Sequence, residues 1–164
     1  MTRLSVLLAA LFAAGAAQAQ SMDAHVHGHA SLNLAIDGGV VTLELEAPAE
    51  TLVGFETEPA TDEERAAMAD AEGTLNRPET LFAFPEAAGC EARETEVEFE
   101  REGEHAEFEA TYTFQCADPT AIDAVETTLL ERFERMEELE VAFATPDGQG
   151  SVELGRGDGR IALR

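Results

Sequence analysis

The sequence predicts an α+β fold of antiparallel β-hairpins with one main helix and short helical turns. Three observations carry this expectation. Residues 31–37 (SLNLAID) and 105–116 (HAEFEATYTFQC) alternate apolar and polar positions, the period of a strand with one buried face. Turn residues, Asp37-Gly38-Gly39 and Pro146-Asp147-Gly148, stand between pairs of such runs. A single longer segment, from about Asp62 to Leu75, follows the helical period instead.

The first hairpin sets Leu32, Leu34 and Ile36 against Val41, Leu43 and Leu45, and Pro48 ends it. AETLVGFE then reads as a short turn or single helical turn, with Leu52, Val53 and Phe55 as core candidates. Thr61-Asp62-Glu63-Glu64 is a capping box. The alanine-rich helix behind it carries a narrow stripe of Ala67, Met68, Ala71 and Leu75. Pro78 is placed to open one more helical turn.

After Cys90, Thr95, Val97 and Phe99 alternate with glutamates up to a turn at Arg101-Glu102-Gly103-Glu104. The strand that follows turns Ala106, Phe108, Ala110, Tyr112, Phe114 and Cys116 one way, and His105, Glu107 and Glu109 the other. Residues 120–136 fit both periods. A helical turn at Pro119, a strand near Val125–Leu130 and a second turn before Glu138 is the favoured reading. LEVAFAT and GSVEL form the last hairpin, and RIALR is a final strand candidate. HASLNLAI and HAEFEATYTF both open on His-Ala, which leaves two pseudo-repeated halves open as an arrangement.

Residues 1–19 read as a signal peptide. Arg3 precedes an apolar run from Leu4 to about Ala14, and Ala17-Gln18-Ala19 supplies the A-x-A cleavage pattern. Residues 20–164 are then one domain, exported and expected in the periplasm, with no later segment near the roughly 20 apolar residues of a membrane span. The two cysteines, Cys90 and Cys116, allow one pairing, and an oxidising compartment favours a disulfide over two separate buried thiols. Such a bridge contributes roughly 3–4 kcal/mol in the chain-entropy account. The charge is lopsided: 34 acidic residues stand against 10 basic ones, all arginine. That balance repels phosphate backbones and argues against nucleic-acid partners and anionic membranes.

Three of the four histidines, His25, His27 and His29, lie at alternate positions in DAHVHGHASLNLAIDG. On extended backbone they would share one face, with rings roughly 6–7 Å apart. Neutral imidazole binds Zn²⁺, Cu²⁺ and Ni²⁺, and three of them plus a carboxylate fill a tetrahedral zinc shell. A straight strand cannot bring three rings to one ion, so Gly28 matters as the point where the backbone can bend. Asp23 is the nearest local carboxylate, and Glu107 stands two residues from the fourth histidine, His105. If the His105 strand pairs beside the His29 strand, all four histidines gather at one end of a sheet. The competing reading is a polar chain end that binds metal only loosely. Imidazole must be neutral to bind, so affinity through such ligands falls as pH drops through about 6.5.

No nucleophile elbow or H-E-x-x-H motif accompanies His105, and DGQG at 147–150 reads better as a hairpin turn than as a phosphate loop. The sequence is therefore expected not to be an enzyme.

HVHGHASLNLAIDGGVVTLELEAPAETLVGFE, FPEAAGC, HAEFEATYTFQC and TPDGQG together resemble the ZrgA-like periplasmic zinc-uptake proteins, in the same order from His25 to about Leu154. The resemblance implies a zinc-binding accessory of high-affinity zinc import, working with an ABC-type zinc transporter or its solute-binding protein. It also supports the Cys90–Cys116 bridge. Many relatives carry a long His- and Asp-rich insertion where this chain has only EFEREGEH at 98–105. That leaves His25, His27, His29 and His105 as the transferable ligands and puts high-capacity storage in doubt. The alternatives are an exported structural or protein-interaction module with an incidental His tail, and a Cu(II) or Ni(II) scavenger using the same ligands.

Overall fold

A computed structural model of the chain describes residues 28–103 and 105–163. The expected signal peptide, together with Asp23, His25 and His27, lies outside them.

The first hairpin is β1 (His29–Asp37) and β2 (Val40–Pro48), joined at Gly38-Gly39 with Asp37 opposite Val40. Alternation puts Leu32, Leu34, Ile36, Val41, Leu43 and Leu45 inside. Helix α1 (Ala49–Val53) follows directly and ends at Gly54 in a left-handed turn. Helix α2 (Asp62–Leu75) opens on the expected capping box: Thr61 Oγ1 accepts from the Glu64 N–H, and the Glu64 carboxylate accepts from the Thr61 N–H. Of its expected stripe, Ala71 and Leu75 are buried and Met68 packs at the margin. Helix α3 (Pro78–Leu81) has its proline in the first turn and leads into the two-residue strand β3 (Phe82–Ala83).

The second hairpin is β4 (Cys90–Glu102) and β5 (His105–Cys116), and β5 buries every second side chain as its pattern demands. Cys90 lies opposite Cys116 and the two are disulfide-bonded, closing the open end of this hairpin. A 3₁₀ turn at Pro119–Ala121 precedes β6 (Ala124–Thr127) and helix α4 (Leu129–Arg132). The last hairpin is β7 (Glu138–Thr145) and β8 (Gly148–Gly155), and β9 (Arg160–Ala162) closes the described chain.

The strand expected near Val125–Leu130 therefore stops at Thr127. Thr127 Oγ1 accepts from the Leu129 N–H, and the Arg132 N–H returns to the Thr128 carbonyl, so local bonds turn the chain into α4.

The architecture is broadly α+β but mainly sheet, rather than the expected pattern of hairpins with one helix. Six strands form one sheet in the order β4-β5-β2-β1-β7-β8, and three form a second, β3-β6-β9. Three hairpins thus stand side by side in the large sheet, in place of two repeated halves. The middle junction, β1 with β7, is parallel. One core unites the elements. Phe82 meets Tyr112 edge-on at 5.3 Å and Phe84 meets Phe114 at 4.8 Å, so β3 and its flanks cover the inner face of the large sheet. Among the described residues, no helix is long and apolar enough to cross a membrane.

Candidate metal centre

The other face of the large sheet stays half-exposed to exposed except at Pro48, which is buried, and register makes it acidic. One row runs Glu98, Glu109, Glu46, Ser31, Glu140, Glu153 across all six strands. Five carboxylates in six positions cost mutual repulsion. Glu109 shows it: its carboxyl titrates above the ordinary carboxylate range because of partial desolvation and the charges of Glu100, Glu107, Glu46 and Glu98. The ligand oxygens of Glu98, Glu100 and Glu109 lie within 4.8 Å of one another.

At one end of this face stand both described histidines. His29 begins β1 and His105 begins β5, each on the open-face parity of its strand. The expected neighbourhood of β1 and β5 does not occur. β5 pairs with β2, placing Glu107 opposite Pro48, and β2 pairs with β1, so β2 lies between the two histidines. From strand spacing the two Cα atoms stand on the order of 10 Å apart. Glu107 sits on the same face, half-buried, opposite Glu100 in β4.

Each histidine has a carboxylate that the sequence did not point to. His29 Nδ1 lies 3.1 Å from Glu138 Oε1, across the β1–β7 pair. In a neutral ring this makes Nδ1 the protonated nitrogen and leaves Nε2 as the metal-binding lone pair. His105 Nδ1 lies 3.5 Å from Glu56 Oε2. The Glu56 side chain is only 17% exposed, and its other oxygen, Oε1, is buried without a hydrogen-bond partner among the described residues. A buried acceptor left unpaired costs about 1–3 kcal/mol, more when it carries charge.

Backbone geometry explains both placements. Gly28 adopts φ +84, the bend expected between the second and third histidines, and β1 begins immediately after it. Its N–H donates to Thr51 Oγ1 of α1 at 3.1 Å, and its carbonyl accepts from the Glu137 and Glu138 N–H groups. The entry to β1 is thereby tied to α1 on one side and to β7 on the other. Gly54, at φ +89, turns the chain after α1 so that Glu56 returns to the start of β5; a Cβ there would also strike the Arg135 guanidinium.

The donor set fits zinc. It offers imidazoles and carboxylates, with both cysteines consumed in the bridge, and a buried carboxylate oxygen that lacks a hydrogen-bond partner among the described residues. Comparison with known proteins agrees. The sequence matches the ZrgA family zinc uptake protein over residues 24–163. The chain belongs to the ZrgA family. The match runs past Leu154, where the resemblance read from motifs ended, and takes in β9. A comparison with curated proteins finds no match. Zinc is thus the ion with which this ZrgA-family chain is to be associated, and the matched stretch covers every candidate ligand except Asp23.

Asp23, His25 and His27 fall outside the described residues, so His29, His105 and Glu107 are the expected ligands that can be placed. Glu56 and Glu138 were missed. Among 34 acidic residues neither has a sequence signal of its own. Only the turn at Gly54 and the parallel register of β7 single them out.

Proposed function

We propose that this chain is a non-enzymatic, periplasmic zinc-binding protein that assists high-affinity zinc uptake, handing the ion to an ABC-type transporter or its solute-binding protein. The observation that carries the reading is the pair of imidazoles, His29 and His105, at one end of one acidic face, each beside its own carboxylate. His25 and His27 join the chain at Gly28, which is anchored to α1 and β7 at that same end. Asp23 lies two residues before His25, and Glu107 two residues after His105.

The glutamate rows around the site attract cations over the whole face, while the imidazoles supply preference for a borderline metal. The same field disfavours nucleic acid. Periplasmic residence is supported by the disulfide and by the signal-like first 19 residues. The non-catalytic part of the reading rests on the sequence, which carries no nucleophile elbow or metalloprotease motif.

Zinc titration by calorimetry on the mature, tag-free protein tests this reading beside a His25/His27/His29→Ala variant. Sub-micromolar binding in the wild type that is lost in the variant is the expected result. Equal binding in both, or none in either, would return the histidines to an incidental tail. Because Cu²⁺ outcompetes Zn²⁺ at most nitrogen sites in vitro, tighter copper binding alone would not identify a copper protein. Impaired growth of the variant strain under zinc limitation, but not copper limitation, is the expected cellular result.

A further inference from the structure

We infer that Glu56 is a direct zinc ligand, binding the ion together with His105 where the turn after α1 meets the start of β5. This inference rests on the zinc-binding reading above and adds a ligand that the histidine motif does not contain.

The two histidine–carboxylate pairs differ in a way that assigns them different tasks. His29 and Glu138 stand 3.1 Å apart, inside the range of about 2.7–3.2 Å for an N–H···O hydrogen bond. Glu138 therefore orients its histidine. His105 Nδ1 and Glu56 Oε2 stand 3.5 Å apart, beyond a good hydrogen bond. Two donors each about 2.0–2.1 Å from a tetrahedral zinc are separated by roughly 3.3–3.4 Å. The His105–Glu56 spacing is therefore close to one edge of a zinc tetrahedron.

Burial points the same way. His105 is 63% exposed, whereas Glu56 is 17% exposed and its Oε1 has no hydrogen-bond partner among the described residues. A chain this rich in carboxylates has no shortage of exposed ones, and a carboxylate held inward with one oxygen unpaired calls for a cation.

The test is titration of the mature, tag-free protein with Zn²⁺ alone, comparing wild type, Glu56→Gln, Glu56→His, and Glu72→Gln on the outer surface of α2 as a control. Glu56→Gln keeps shape and removes the ligand charge. The expected result is an affinity loss of about tenfold or more in Glu56→Gln, with Glu72→Gln unchanged and an apo melting temperature no lower than that of the wild type. Glu56→His, which restores a zinc donor of similar reach, is expected to recover most of the affinity. Wild-type affinity in Glu56→Gln would overturn the inference while leaving the histidine site standing. Equal losses in Glu56→Gln and Glu56→His would reduce Glu56 to a structural support and also overturn it. Absence of zinc binding in the wild type would instead defeat the functional reading itself.

Discussion

His29 Nδ1 lies 3.1 Å from Glu138 Oε1 across the parallel pairing of β1 and β7. A carboxylate in this position holds an imidazole in one tautomer and orientation, and removing such a partner typically weakens metal binding by about 10–100-fold. Glu138→Gln is therefore expected to lower zinc affinity by about tenfold in calorimetry. Because the pair is partly exposed, the same change should alter apo stability by less than about 1 kcal/mol. Unchanged affinity would mean that Glu138 does not support a ligand.

The acidic row predicts a pH- and salt-dependent weakness. Glu109 is held above the ordinary carboxylate value by desolvation and by Glu100, Glu107, Glu46 and Glu98. A carboxyl whose folded value is raised favours the fold while protonated, and that contribution is lost as pH rises through the folded value. Glu109→Gln should thus raise the melting temperature at pH 7 in low salt. The gain should shrink in high salt and disappear below about pH 4, where the carboxyl is protonated in either state. Thermal melts across pH and ionic strength give the answer, and a gain that persists at low pH would contradict the electrostatic cause.

Tyr112 is fully buried, its hydroxyl has no hydrogen-bond partner among the described residues, and burial pushes its titration upward. Its ring packs edge-on against Phe82 and would do so equally well as phenylalanine. Tyr112→Phe is expected to stabilise the protein by about 1 kcal/mol, the cost of burying an unpaired hydroxyl. A urea melt that shows destabilisation would reveal a partner for that hydroxyl.

The Cys90–Cys116 bridge spans 26 positions of sequence. Replacing both residues by serine should cost roughly 3–4 kcal/mol, read as a lower urea midpoint, and reduction of the wild type should reproduce most of it. A much smaller loss would show that the ladder of β4 and β5 already restrains the unfolded chain.

Legibility along the chain followed the range of the forces involved. The β5 alternation, the first hairpin and the capping box of α2 were readable because each depends on residues a few positions apart. Residues 125–130 misled because Leu129 and Leu130 fit a strand equally well. The bonds from Thr127 and Thr128 that start α4, with Thr128 also donating to the Thr80 carbonyl, do not show in a hydrophobic pattern. At the candidate site the histidines were legible as a rare residue type in a tight motif. Glu56 and Glu138 were not, since carboxylates are the commonest charge in this chain.

By itself the sequence determined the three hairpins, the main helix, the alternation of buried and open positions in β1, β2 and β5, the single cysteine pairing and the histidine motif. All of these follow from local periodicity or from residue counts. Only the tertiary structure decided that β2 separates His105 from His29, that β7 lies parallel to β1, and that five glutamates align in one row. Strand order and register are set by which apolar faces share one core, and that depends on the whole chain at once. The partner carboxylate of each histidine is a consequence of that choice.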